Sequence, residues 1–149
     1  MNLRQKILIK VMNFWTPFWG AGIHIDRVSK DFMEVDVSLK LRFWNRNYVG
    51  THYGGSLYSM TDPSYMLMLI QLLGKGYIVW DKAARIKFLR PGTTKVYAQF
   101  RLTTEQIKNF KEDLKGSNKI EPNLMVYVKD KEGNVIAEVE KTIYIKNKH

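Results

Sequence analysis

Residues 45–73 decide the fold, and they read NRNYVGTHYGGSLYSMTDPSYMLMLIQLL. Between Ser56 and Leu73 the only charged residue is Asp62, and leucine, methionine and tyrosine occur on all sides of a helix drawn through the segment. A helix that is apolar all round is buried. A membrane span is excluded by the number of polar and helix-breaking residues, which are Ser56, Ser59, Thr61, Asp62, Pro63, Ser64 and Gln71. The segment therefore predicts one long central helix enclosed by the rest of the chain.

The segments on either side of this helix alternate apolar and polar residues, as half-buried antiparallel strands do. In residues 32–41, for example, Val35, Val37 and Leu39 face one way and the polar residues between them face the other. Lys141 breaks the pattern, because it falls on the apolar side of the last strand and so indicates a bulge or a wet edge. Further strands are predicted at residues 23–28, 77–80, 83–89, 96–102, 124–129 and 135–145.

This order of elements predicts an α+β fold, in which an antiparallel sheet wraps around one long central apolar helix. A short polar helix capped by Thr103 or Thr104 lies between two of the strands. Residues 1–149 form a single domain, because no repeat or linker divides them. The open edges of such a sheet favour self-association, so we expect a homodimer or a homotetramer.

Residues 1–20 are predicted to add an amphipathic N-terminal helix followed by an aromatic turn. Leu3, Ile7, Val11 and Phe14 fall at helical spacing, and Pro17 is expected to end the helix. Such a helix can pack on the domain or a partner, or lie on a membrane surface, and the sequence leaves both open. Its interleaved charges do not fit a signal peptide, and we expect no integral membrane association.

The chain has 149 residues, of which 24 are basic and 14 acidic, for a formal net charge of +10. This bias favours anionic partners. The excess is spread without a run of five like charges, however, so we expect no nucleic-acid binding. The absence of cysteine excludes disulfides and thiolate chemistry and fits a reducing compartment, here the cytoplasm. With only three histidines, no metal site is expected.

One stretch, residues 45–62, has the residue types that chemistry needs. Gly54 and Gly55 stand at the predicted helix start, where glycine permits close approach and free amides can stabilise an oxyanion. Asp62 is an isolated carboxylate about two turns further along, on the same face of an unbroken helix, and could act as a general base. Two structural alternatives stay open: in one, Asp62 and Pro63 only start a helix as N-cap and first residue; in the other, the glycines only form a loop.

The segment YGGSLYSMTD, residues 53–62, resembles the HGGxxxxxxD signature of hotdog-fold acyl-CoA thioesterases, in particular the phenylacetate-pathway and hydroxybenzoyl-CoA type. Asn47 and the pair Gly50-Thr51 also match the loop ahead of that signature, and residues 88–91 are similar to a recurrent strand end. Residues 17–23 resemble a branch of this superfamily with an added N-terminal helix. The resemblance covers about residues 17–145 and implies a hotdog fold.

The resemblance also implies roles for individual residues. The Gly55 amide, with that of Gly54, would polarise a thioester carbonyl. Asp62 would act across a dimer interface as base or nucleophile, and Asn47 would hold the thioester or the attacking water. Tyr53 stands where the family usually has histidine, with His52 one place early. Further contacts to substrate would come from Tyr53, His52 and Thr51 and, for the coenzyme A phosphates, from Arg85, Lys87 and Arg90.

The function that these residues imply is hydrolysis of an acyl-CoA thioester, with coenzyme A as part of the substrate and no separate cofactor. The alternative is a hotdog protein that binds acyl-CoA or another acyl ligand without catalysis. A dehydratase would need a well-placed histidine, for which His52 is a weak candidate.

Overall fold

The structure is a computed structural model, and it describes residues 3–148. Five helices and seven strands follow one another along the chain. The helices are α1 (Leu3–Phe14), α2 (Thr16–Ala21), α3 (Gly54–Ser59), α4 (Ser64–Leu73) and α5 (Thr104–Gly116). The strands are β1 (Ile23–Val28), β2 (Glu34–Leu39), β3 (Tyr77–Phe88), β4 (Val96–Arg101), β5 (Lys119–Ile120), β6 (Asn123–Asp130) and β7 (Val135–Asn147).

The strands form one antiparallel sheet in the order β1-β2-β4-β6-β7-β3, with β5 paired to the far end of β7. The predicted alternation is confirmed where it was clearest: Val35, Val37 and Leu39 of β2 are buried. The capping box of α5 is also present, since Thr103 accepts from the Gln106 amide and the Gln106 side chain accepts from the Thr103 amide. The α+β class is therefore confirmed.

The predicted single central helix is wrong, because α3 ends at Ser59 and α4 begins only at Ser64. Proline lacks an amide hydrogen, and its ring collides with the carbonyl four residues earlier in an unbroken helix. Pro63 therefore interrupts the segment instead of bending it. In the link, the Thr61 amide donates to the Tyr58 carbonyl at 2.9 Å and the Asp62 amide to the Ser59 carbonyl at 3.2 Å, both three residues back.

The capping alternative is wrong as well. Pro63 itself holds the N-cap position of α4, and no side chain caps that helix. Residues 60–63 thus separate the two helices, so the assumption that Gly55 and Asp62 share one helix face does not hold.

The last helix of the N-terminal region leads into β1 through Gly22, which adopts a φ of 82°. The preceding break comes at Trp15, one residue before α2, and Pro17 lies in the first turn of that helix. Leu8 of α1 and Leu67 of α4 line one small cavity together with residues of β1, so α1 lies on the same face of the sheet as α4. No helix within residues 3–148 is long and apolar enough to cross a membrane.

Strand β3 is a single long strand, where the sequence predicted two short ones, and a bulge lies between Asp81 and Ala83. Within residues 3–148 it pairs only with β7, and it forms one edge of the sheet. Most of its residues from Lys82 onward are exposed on both faces. An exposed edge of twelve residues is unusual in a protein that works alone.

Candidate active site

A groove of about 380 Å³ opens at the start of α3 and gathers residues from two separate parts of the chain, 47–57 and 88–92. Five of the predicted site residues line it, namely Asn47, Thr51, His52, Gly54 and Arg90. The other walls are Leu57 and the strand end with its following turn, Phe88, Leu89, Pro91 and Gly92. The loop, the helix start and the end of β3 thus meet at one place, as the sequence comparison of residues 45–62 and 88–91 implied.

Asn47 ties the loop ahead of α3 into a fixed shape. Its Oδ1 accepts from the amides of Val49 and Thr51, at 3.2 and 3.0 Å. Its Nδ2 donates to Thr51 Oγ1 at 2.9 Å and to the His52 carbonyl at 3.3 Å. Since an asparagine amide offers two donors and one double acceptor, the side chain is fully engaged within its own loop. Asn47 therefore shapes the groove wall.

His52 is buried at the base of the groove. Its Nε2 lies 2.7 Å from the Thr94 carbonyl; because a carbonyl only accepts, Nε2 carries the hydrogen. Nδ1 is buried and has no hydrogen-bond partner within residues 3–148. Burial lowers the pKa of His52, although the Thr94 carbonyl opposes this. The ring is thus held neutral, with one free lone pair.

Gly54 and Gly55 begin α3 and are pressed by aromatic rings. A Cβ at Gly54 would lie 3.0 Å from the Phe88 ring, and a Cβ at Gly55 only 2.4 Å from the Tyr53 ring. A side chain at Gly55 would displace the exposed Tyr53 ring, and one at Gly54 would press on the Phe88 ring. The first amides of a helix lack intrahelical acceptors, so Gly54, which lines the groove, offers a donor there, whereas Gly55 is not a lining residue. Tyr53, exposed and over Gly55, stands at the edge of that surface.

Asp62 does not line the groove. Its Oδ1 lies 3.1 Å from Lys141 Nζ, which in turn lies 3.1 Å from Oδ1 of Asp81. Lys141 is completely buried in β7, and its Nζ stands 5.3 Å from the centre of the Tyr58 ring. The Asp62 side chain is 47% exposed, and that of Asp81 only 20%. We call Asp62, Lys141 and Asp81 the buried cluster. The prediction of a bulge or wet edge at Lys141 is wrong.

The buried cluster shifts the pKa values of Asp81 and Lys141 in physically separable ways. Burial raises the pKa of Asp81 and the neighbouring charge of Asp62 adds to the rise, while Lys141 opposes it. Burial alone would lower the pKa of Lys141, but attraction to Asp81 and Asp62 outweighs it, so that pKa lies above its ordinary value. Lys141 is therefore a fixed positive charge that holds the Asp62 carboxylate in one position.

The predicted phosphate-binding residues separate into two groups. Arg90 lines the groove, and its Nη1 lies 3.3 Å from Asn134 Oδ1. Arg85 and Lys87 lie on β3, opposite Glu140 and Glu138 of β7, and Lys87 Nζ is 3.3 Å from Glu138 Oε1. Arg90 is thus the cation at the groove, whereas the other two face acidic neighbours.

Sequence reasoning missed Lys141 and Asp81. A signal for them was available. Lys141 was a lone cation on an apolar strand face and Asp62 a lone carboxylate in an apolar segment, and buried charges require a partner. The two exceptions to the apolar pattern predict each other. Within residues 3–148 no group of three or more metal-binding side chains is arranged to hold a metal ion.

A model of the family described as a domain of unknown function (DUF4442) matches residues 4–145, and no curated protein matches the sequence. Similar solved structures include a protein of unknown function from Pseudomonas aeruginosa, described as a probable thioesterase. It has a TM-score of 0.84 and 18% identity, over 99% of this chain and 98% of that one.

Two further structures are a thioesterase from Haemophilus influenzae and the PaaI protein of the phenylacetic acid degradation operon of E. coli. Their TM-scores are 0.69 and 0.66 and their identities 15% and 14%. The matches cover 99% and 98% of this chain and 93% and 92% of theirs. At these identities the likeness establishes the fold alone, which is the hotdog fold.

Proposed function

We propose, from the premise that this chain belongs to the DUF4442 family, that it hydrolyses acyl-CoA thioesters. The observation that carries the proposal is the groove, where Asn47 and Gly54 come together with Arg90, which lies 36 residues beyond Gly54 in sequence. It offers backbone donors for an oxyanion at one end and a cation for a phosphate group at the other. The names of the similar structures, several of them thioesterases, support the same reaction.

The carboxylate that completes the site is proposed to come from a second copy of the chain. Strand β3 is an open edge of the sheet. Phe88 at one end of the strand lies against Gly54, and Asp81 near its middle belongs to the buried cluster. Antiparallel pairing of two β3 strands about a two-fold axis brings the Phe88 end of one copy toward the Asp81 region of the other. The glycines of one copy then face Asp62 of its partner, and a homodimer holds two complete sites.

In the proposed reaction, the thioester carbonyl lies against the Gly54 amide of the groove, with the Gly55 amide next to it. Asp62 accepts a proton from water as the water oxygen adds to the carbonyl carbon, and the amides stabilise the developing oxyanion. The carbon–sulfur bond then breaks, and the proton passes to the departing thiolate. The products are a carboxylic acid and free coenzyme A. Lys141 holds the Asp62 carboxylate in place, and Arg90 binds a phosphate of the coenzyme.

A second candidate, binding of an acyl ligand without catalysis, is favoured by one specific observation. Asp62 is already paired with Lys141 at 3.1 Å, and a carboxylate engaged in an ion pair is a weaker proton acceptor. Under this reading the buried cluster is structural, and the groove only holds the ligand.

The two candidates are separated by assaying a panel of acyl-CoA esters with a thiol-reactive dye. Hydrolysis by the native chain, with a loss of about 100-fold or more in Asp62→Asn, is the expected result. The control is Asp113→Asn, which replaces an exposed carboxylate on α5 by the same amide, and this variant should keep full activity. Saturable binding of an acyl-CoA with no thiol release would instead establish the binding protein.

A further inference from the structure

An apolar stripe on α1 faces solvent. It consists of Leu3, Ile7, Val11 and Phe14, which are 72%, 52%, 60% and 73% exposed. At about 100° per residue these four positions cover only about 80° of the helix circumference. We call them the α1 stripe. A contiguous apolar surface of this kind marks an interaction site.

The opposite side of α1 packs on the domain, so the orientation of the helix is set. Gln5 is completely buried and donates to the Ser29 carbonyl, and Ile9 and Met12 pack against the core. Asn13 Nδ2 donates to the Ile25 carbonyl at 3.1 Å, and its Oδ1 accepts from the Ile25 amide at 2.7 Å. The α1 stripe therefore points outward in the folded protein.

Aromatic residues extend the stripe past the end of α1. Trp15 is 45% exposed and Trp19, in α2, is 70% exposed. Tryptophan is enriched at the boundary between water and lipid, where its ring and its N–H find different surroundings. Two exposed tryptophans beside an exposed apolar stripe thus fit a surface that meets an interface of that kind.

The charges around the stripe are all of one sign. Lys6 and Lys10 lie on one side of it and Arg4 on the other, about 60 to 100° from its centre, and all three are exposed. The first acidic residue of the chain is Asp26. A helix with an apolar stripe, a cationic border and no acidic residue has the character of an interfacial membrane helix.

We propose that α1 and α2 bind a lipid surface that carries anionic headgroups, with α1 lying in the plane of the interface and the α1 stripe among the acyl chains. Charge complementarity selects this occupant over a second copy of the chain. A symmetric contact between two α1 helices would bring six cations together without one acidic partner from this segment. The proposal is independent of the function proposed for the groove.

The test is sedimentation of the full chain with sucrose-loaded vesicles, either of phosphatidylcholine alone or with one quarter phosphatidylglycerol. Two variants probe the surface: Ile7→Gln with Val11→Gln for the stripe, and the triple exchange of Arg4, Lys6 and Lys10 to Gln for the charges. The matched control exchanges Lys108, Lys111 and Lys115 of α5 to Gln, which removes the same charge elsewhere. Circular dichroism verifies that every variant is folded.

The native chain should sediment with the anionic vesicles and remain in solution with the neutral ones. Salt at about 0.5 M should release it from the anionic vesicles, because attraction between charges is strongly screened at that ionic strength. Each surface variant should lose about tenfold or more in affinity, and the α5 control should bind nearly as the native chain does. Absence of binding, equal binding to both vesicle types, or equal loss in the α5 control overturns the proposal. So does a fall in native oligomer mass caused by Ile7→Gln with Val11→Gln, which would identify the stripe as a contact between copies.

Discussion

Two groups of carboxylates and cations lie on or against this sheet, and they differ chiefly in the burial of their cations, since Asp36 and Asp81 are alike at 21% and 20% exposure. In the buried cluster, one lysine at 0% exposure serves two aspartates. On β2 and its neighbours, Asp36 accepts from Arg27 Nε at 2.7 Å and from Arg101 Nη2 at 2.6 Å, and Arg27 also pairs with Glu34. We call this second group the surface cluster. Its arginines are 47% and 38% exposed.

The aspartates of the two clusters titrate in opposite directions. Burial also penalises the charge of Asp36, but hydrogen bonds from Arg27 and Arg101 outweigh that penalty and lower its pKa. Asp81 has one cation, which it shares with Asp62, and burial prevails, so its pKa is raised. The comparison teaches that the number of cations per carboxylate, weighed against desolvation, decides whether a charge cluster favours the ionised form.

The largest effect is expected from Lys141→Met. The change leaves Asp81 and Asp62 facing each other without a cation, and removal of one partner of a buried pair costs about 3 kcal/mol or more. We expect that loss in the free energy of unfolding, measured by urea denaturation. Neutralising both aspartates in the same chain, with Asp62→Asn and Asp81→Asn, should recover most of it. A Lys141→Met protein as stable as the native one would show that Lys141 is not energetically coupled to the aspartates.

An intermediate effect is expected in the pH dependence of stability. Because the pKa of Asp81 is raised on folding, the native state binds more protons, and this residue's contribution falls as pH rises from about 4 through its folded pKa. Asp36 has a lowered pKa, so its contribution falls as pH drops below about 4. The stability difference between the native chain and Asp81→Asn should therefore shrink from pH 3 to pH 6, whereas that for Asp36→Asn should grow.

Urea midpoints of the three proteins across that range measure both slopes. If the stability differences of both variants changed with pH in the same direction, desolvation and neighbouring cations would not act oppositely on Asp81 and Asp36.

The smallest effect is expected from Arg27→Gln in the surface cluster. Exposed ion pairs are screened by water and cost side-chain entropy, so they stabilise little, and Asp36 keeps Arg101. The urea midpoint should stay within the scatter of repeated measurements. A loss comparable to that of Lys141→Met would mean that burial does not separate the two clusters.

The strands and the capped helix were predictable because their signals are local. The alternation in β2 and the spacing of Thr103 and Gln106 in α5 depend on neighbours in the sequence. The groove was predictable from the resemblance alone, since no local pattern links Asn47 to Arg90. That Gly55 packs against the Tyr53 ring was not predictable, because a short side-chain contact has no periodic signature.

The buried cluster could not be read from local pattern because its members are far apart. Lys141 and Asp62 are separated by 79 residues, and only the folded sheet brings them together. The single-helix prediction failed for a different reason. The apolar character of residues 56–73 indicates that the segment is buried, but it does not indicate that the helix is continuous. The prediction gave that character more weight than Pro63, which divides the segment into α3 and α4.

The position of α1 at the β1 edge has a consequence for the proposed dimer. A two-fold axis that pairs two β3 edges within one sheet stands normal to that sheet, so both N-terminal helices lie on the same side. Across twelve strands at about 4.8 Å each, they are at most about 50 Å apart. Once one helix has docked on a flat surface, the other is held near it at high effective concentration. Weak individual contacts would then add up to strong avidity, which depends on dimerisation and disappears when the subunits separate.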